Sequence, residues 1–171
     1  MGNLFLAPKT RAFFLFLLVL SFGALLFGGY LINKEKPPIP SIVKSEKGDI
    51  IFSRDDVMSG QNHYFSRGGM HIGTIWGHGS YMAPDWSADF LHRMGLYVAA
   101  RHHGLTPEAA ARFSQKDFDS LDEVTQATLR AQVKKELKQN RYDPAKDELI
   151  FTHNQQEAFE EIGRASCRER V

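Results

Sequence analysis

The sequence predicts a mainly α protein: one N-terminal transmembrane helix followed by a small helical domain with a glycine-rich, irregular insert. Three observations carry this. Residues Ala12 to Ile32 form a run of twenty-one residues without a charge. The second half of the chain repeats apolar residues at three-to-four spacing behind helix-capping residues. Between them, glycine occurs at 68, 69, 73, 77 and 79, interleaved with aromatic residues.

At 1.5 Å rise per residue the apolar run makes a helix of about 30 Å, the thickness of a bilayer's hydrocarbon core. Gly23, Gly28 and Gly29 are tolerable inside lipid because a helix satisfies its own backbone. A secretory signal would pair its basic start, here Lys9 and Arg11, with an apolar core of roughly 7–15 residues and a small-residue cleavage site. This core is longer, and it ends in Tyr30-Leu31-Ile32-Asn33-Lys34, so residues 1–33 read as a retained anchor with its flank. The lysines at 34, 36, 44 and 47 lean weakly towards a cytoplasmic placement of the domain, although the short N-terminal flank makes this a poor test of the positive-inside rule.

Residues 34–48, with Pro37, Pro38 and Pro40, read as a stiff extended spacer. The domain proper is expected over 49–163. Ser53 before Arg54-Asp55-Asp56 has the form of a helix start with acids in the first turn, and the helix runs to about Ser66 before Gly68-Gly69. From Gly68 to Pro84 the glycines imply tight turns, with one short strand at Met70–Ile75. Asp85 caps the next helix, whose apolar positions are Trp86, Phe90, Leu91, Met94 and Val98 and whose end is Gly104. Thr106-Pro107 starts a short helix, with Pro at the first helical position. A third long helix is expected from the box Ser120-x-x-Glu123, with Leu121, Val124, Thr128, Leu129, Val133 and Leu137 near one stripe, stopping before Pro144. After the apolar Leu149-Ile150-Phe151, Thr152-x-x-Gln155 opens a last helix through Phe159 and Ile162. Residues 164–171 carry three arginines and no apolar period, and read as a truncated or out-of-frame tail.

About 138 residues beyond the anchor suffice for one compact domain. The 21 basic and 20 acidic residues are balanced, which argues against a nucleic-acid binder. Cys167 is the single cysteine. An internal disulfide, a Cys-x-x-Cys redox pair, a Cys-x-x-Cys-His haem attachment and a Cys-ligated iron–sulfur centre are thereby excluded. Either side of a membrane remains open to such a domain.

The seven histidines are His63, His71, His78, His92, His102, His103 and His153. None has the His-x-x-x-His spacing that puts two imidazoles on one helix face for a metal. The plainer reading gives His71 and His78 structural hydrogen bonds and leaves His102, His103 and His153 in solvent. Asp85 and Asp89 stand four apart near Arg93; the plain reading is an N-cap and an i,i+4 ion pair. The glycines lack the Gly-x-Gly-x-x-Gly pattern and its strand–turn–helix setting, and no Gly-Lys-Ser/Thr occurs. Trp76, Tyr81 and Trp86 read first as core or interface aromatics. The residues by themselves spell out no catalytic machinery.

Residues 68–93, with the core Trp-Gly-His-Gly-x-Tyr-x-Ala-Pro-Asp-Trp at 76–86, closely resemble the N-terminal region of quinol-dependent nitric-oxide reductases. Ser59-Gly60-Gln61-Asn62 upstream and Thr152-His153-Asn154-Gln155 downstream fit the same pattern, and the resemblance spans roughly residues 10–162. It implies a transmembrane anchor in the inner membrane and a haem-free, cytochrome c-like periplasmic domain, against the weak charge count. In that family a multi-helix catalytic region comes next, holding haem b, haem b3 and a non-haem iron, and electrons come from a membrane quinol. No haem or iron ligand of that region has a counterpart here, so the resemblance implies no catalytic, cofactor or metal residue in this chain. Its implied partners are membrane lipid, the catalytic helices and quinol.

The same resemblance casts the glycine-aromatic loop as a docking surface on the catalytic helices, near the quinol side. Its members are His71, Trp76, His78, Tyr81, Asp85 and Trp86, with Trp86 and Leu91 giving part of the loop's support from the domain core. An alternative of another class stays open: a stand-alone single-pass membrane protein whose periplasmic domain binds a partner.

Overall fold

The computed structural model describes residues 8–79, 82 and 84–168, with side chains to residue 164. The chain divides into two units, residues 1–39 and 40–171. The first contains α1 (Pro8–Glu35), a 28-residue helix that buries none of its residues within the chain. Its phenylalanines and leucines stand exposed along the whole length. Among the described residues it is the one helix long and apolar enough to cross a membrane.

The second unit opens with a sheet that the helical periodicity did not announce. Strands β1 (Ile42–Ser45) and β2 (Ile50–Ser53) pair antiparallel, with an irregularity between Val43 and Lys44. Near the far end of the chain, β5 (Tyr142–Asp143) and β6 (Glu148–Phe151) form a second hairpin. β1 and β6 join the two in parallel, Ile42 opposite Glu148 and Ser45 opposite Phe151, giving the order β2-β1-β6-β5. Residues 42–45, assigned from sequence to the spacer, are therefore an inner strand, and Val43 is 1% exposed. Lys44 Nζ reaches Glu148 Oε1 at 2.5 Å. Asp147, at φ 54°, ties the seam: it accepts from the Ser41 hydroxyl, from Tyr142 OH (2.8 Å) and from Arg54 Nη2 (2.6 Å).

The helices follow their caps. α2 (Arg54–Ser66) starts at Ser53, whose hydroxyl and backbone N–H exchange bonds with Asp56 in a capping box. α4 (Trp86–His102) starts at Asp85 and ends as Gly104 takes φ 88°. α5 (Pro107–Ala110) starts at Thr106 with Pro at the first position. α6 (Gln115–Asp119) has its own box, Ser114 with Asp117. That box displaces the one expected at Ser120: Ser120 ends α6, its hydroxyl donating to Asp117 O at 2.6 Å. α7 (Glu123–Lys138) is capped by Asp122 instead. Both sequences satisfy the pattern, and the later carboxylate reaches the Thr125 N–H at 2.9 Å. α8 (His153–Arg168) opens on the reciprocal bonds between Thr152 and Gln155 and continues past Gly163.

α4 is the central element. Met94, Tyr97, Val98 and Ala100 pack with Ala110, Ala158 and Ile162, while Ala99 packs with Phe118 and Leu129. Trp86 and Leu91 lie outside this core, 43% and 46% exposed, and Val124 at the start of α7 is 76% exposed. The stripe read from sequence was thus too wide at its ends. A cluster of edge-to-face and tilted rings, Phe52, Phe151, Phe159 and Phe90, seals the sheet to α8 and α4 with centroids 5.1–6.3 Å apart, the spacing that aromatic pairs favour.

Candidate functional site

The glycine-aromatic segment is a short helical turn and a hairpin. Met70–Ile75 is a strand only at its end: α3 (Gly69–Ile72) precedes β3 (Thr74–Ile75), which pairs with β4 (His78–Gly79). Two glycines are fixed by close approach. A Cβ on Gly69 would meet the Tyr64 ring at 2.3 Å, and one on Gly73 would meet Trp86 Nε1 at 1.6 Å. Tyr64 OH also donates to Gly73 O at 3.1 Å. The backbone of 69–73 therefore meets an aromatic ring at each end, and at positions 69 and 73 only glycine leaves room for them.

The hairpin turns through Trp76 and Gly77, both at positive φ (54° and 74°). A two-residue turn of this hand matches the twist of the strands and normally takes Asn or Gly. A bulky residue there is strained, at a cost of order 1–3 kcal/mol, and persists only when its surroundings over-determine it. They do. The Trp76 N–H donates to Ser87 Oγ (3.1 Å), the Gly77 N–H to Asp85 Oδ2 (2.6 Å), and the Thr74 N–H to Pro84 O (2.8 Å). The other Asp85 oxygen accepts from the Ser87 and Ala88 N–H groups at 2.9 and 3.0 Å. One carboxylate thus caps α4 and holds the hairpin tip. The Ala88 N–H, against some desolvation and aided by Gly77, Thr74 and Ser87, holds the Asp85 carboxyl below its usual range.

The result is an indole fixed by its backbone and turned to solvent: Trp76 is 71% exposed, Ile72 68% and Met82 96%. A core-filling role for Trp76 is ruled out by that exposure. His71 and His78 are exposed, and neither ring has a hydrogen bond among the described residues. So the structure gathers Trp76, His78, Asp85 and Trp86 around one hairpin, with His71 on the turn before it. Tyr81 lies outside the described residues. Tyr64 and Ser87, which position the hairpin, were not singled out from sequence. Neither follows a motif, since each acts through a contact with backbone.

One buried and one half-buried carboxylate form a second polar constellation. Glu136, 9% exposed, accepts from the Thr152 hydroxyl and from Asn154 Nδ2 (3.4 Å), and lies 2.6 Å from His102 Nε2. Glu157 meets Arg101 Nε (2.9 Å), His153 Nε2 (3.1 Å) and Tyr97 OH (3.4 Å). Burial first, then the negative Glu157, push the Tyr97 hydroxyl up to about 12. His102 and His153 are exposed, as expected, and each also sets a ring nitrogen against one of these carboxylates. Asp89 and Arg93 form the expected i,i+4 pair at 3.0 Å. Among the described residues no group of three or more His, Cys, Asp or Glu is placed to hold a metal.

Among the described residues one membrane-length helix precedes a separate, mainly helical unit, the arrangement of a membrane anchor with a globular periplasmic domain. The family model for the NorB cytochrome c-like domain of nitric oxide reductase matches residues 40–167, well over half of the chain, and the protein belongs to that family. No curated protein matches it. The match begins where the second unit begins and takes in the sheet, the hairpin and α8 as far as residue 167.

Proposed function

We propose that this chain supplies the membrane anchor and the haem-free, cytochrome c-like domain of a quinol-dependent nitric-oxide reductase. The observation that carries the reading is the family match over residues 40–167 directly after a membrane-length helix. Such an enzyme joins two nitric oxide molecules, two electrons and two protons into nitrous oxide and water. Haem b, haem b3 and non-haem iron would supply the redox chemistry from a catalytic region beyond this chain. The described residues offer none of the ligand sets for them, and no redox step is assigned to this domain. Reading the gene beyond codon 171 tests this: apolar spans containing histidines are expected. A stop codon there would overturn the reading in favour of a stand-alone, partner-binding membrane protein.

Within that enzyme the hairpin serves as a docking surface on the catalytic helices and one wall of the quinol side. Trp76 is its anchor, His71 and His78 are its polar rim, and Asp85 and Trp86 hold its shape. What supports this is the strained, rigidly held and exposed indole, since large rigid aromatics near the centre of an interface carry a disproportionate share of binding energy. In the full-length enzyme, Trp76→Ala is expected to weaken assembly or raise the quinol requirement, with haem content per folded protein unchanged. Wild-type quinol kinetics together with wild-type thermal stability would remove the docking role.

A further inference from the structure

A second surface, sharing no residue with the hairpin, lies between α4 and α7. Leu91, Gly95 and Ala99 form one i,i+4 row on α4, and Val133 and Leu137 face them from α7, bordering an open groove of about 380 Å³. The gap is real at its centre. Nothing stands within 4 Å of the position a Gly95 Cβ would take, although glycine weakens a helix interior. Leu91 is 46% exposed at its margin.

The polar lining has one sign. Arg130, Lys134 and His92 border the groove with Gln115, and no carboxylate lines it. Lys134 has no hydrogen bond or ion pair among the described residues. Arg130 lies 5.4 Å over the Phe118 ring and, among the described residues, bonds only the neutral Gln126 Oε1, at 3.3 Å. From Leu91 to Ala99 is about 12 Å of helix, and from Arg130 to Leu137 about 10 Å. That is the span of the i, i+4, i+7 anchors by which an amphipathic helix lies in an apolar groove. Two parallel side-chain rows with small residues between them also make the valley into which a third helix packs.

We infer that the α4–α7 groove receives a short amphipathic helix of a protein partner, apolar on the inserted side and carboxylate-bearing along its margins. The charge of the rim selects the acidic partner, and the openness and two-turn length favour a helix over a small enclosed ligand.

The test uses the full chain in nanodiscs of zwitterionic lipid, with isotope-labelled Leu and Val methyls. The probes are a synthetic 18-residue helix with leucines at i, i+4, i+7 and flanking glutamates, its twin with lysines, and laurate. The glutamate helix is expected to shift the Leu91, Val133 and Leu137 methyls saturably and to bind at least about ten-fold more tightly than the lysine twin at low salt. Gly95→Phe should abolish the shifts. The exposed pair Arg130→Glu with Lys134→Glu should reverse the preference. Equal binding of the twins, unmoved methyls, or no reversal in the charge variant each overturn the inference. Saturation of those methyls by laurate but not by the glutamate helix overturns it in favour of a small-amphiphile site.

Discussion

Glu136 Oε2 stands 2.6 Å from His102 Nε2, so the last turn of α7 is bound to the last residue of α4. The other oxygen takes the Thr152 hydroxyl at the head of α8, and the Glu136 carbonyl accepts from Arg141 Nη1 at 2.7 Å. One residue thus joins the ends of three helices and the approach to β5. Its burial makes the arrangement sensitive, because a buried donor left without an acceptor costs about 1–3 kcal/mol. Glu136→Ala is expected to destabilise the protein by about that amount or somewhat more. Glu136→Gln, which keeps an acceptor for Thr152, should cost roughly half as much. Urea unfolding of both variants checks this, and equal losses would show that the carboxylate itself, rather than an acceptor oxygen for Thr152, carries the contribution.

Trp86 Nε1 occupies the space a Gly73 Cβ would need, 1.6 Å from it. Gly73 has extended backbone that any residue adopts, so a substitution there acts through this clash alone. Gly73→Ala should displace the indole and cost about 1 kcal/mol, towards the low end for overpacking because Trp86 is half exposed. The double variant with Trp86→Ala should recover most of the added loss. A change in tryptophan emission in Gly73→Ala, absent in a Trp76-only background, reports the displacement. Additive losses in the double variant would mean that the two residues do not communicate.

The helices of the domain were legible where they start on a side chain that accepts backbone N–H groups, as at Ser53, Asp85, Thr106 and Thr152, and where apolar spacing marks their inner faces. The sheet was not. Its strands are two to four residues long, and its central pairing joins Ile42 to Glu148. No local period encodes a partner that far along the chain, and the prolines before Ile42 drew the strand into a spacer. At Ser120 two caps competed within three positions, and sequence could not rank them. The loop residues were found by composition, whereas their arrangement rests on Tyr64 and Ser87 meeting backbone, which leaves no trace in a pattern.

Tyr97 should ionise late. Its hydroxyl is buried and faces Glu157, so ionisation would place a second negative charge beside the first, and its titration is pushed up to about 12. Tyr142 is raised as well, first through its bond to Asp147. A folded-state value above the unfolded one, about 10, means that Tyr97's contribution is complete below that pH and is lost as pH rises through about 12. Alkaline difference spectroscopy at the tyrosinate band should therefore show a late component that Tyr97→Phe removes. A late component surviving in Tyr97→Phe would contradict the assignment.

Acid should weaken the domain through its caps and turns. Asp56 is held below the ordinary carboxylate value of 3.8 chiefly by the Ser53 hydroxyl, Asp117 by that of Ser114, and Asp122 by Thr125. Asp85 is held down by the Ala88 N–H, and Asp147 by the Ser41 and Tyr142 hydroxyls with Arg54. A depressed folded-state value contributes stability that is present above the unfolded value and lost as pH falls through the folded one. The melting temperature should thus hold level down to about pH 5 and fall progressively from near pH 4 downward, as protons compete with these hydrogen bonds. Asp147→Asn should lower the neutral-pH plateau by loosening the seam between residue 41, Arg54 and Tyr142, and should also make the acid slope shallower, because one of the titrating groups is gone. A slope unchanged in Asp147→Asn would show that the seam carboxylate plays no part in acid unfolding, leaving the helix caps to account for it.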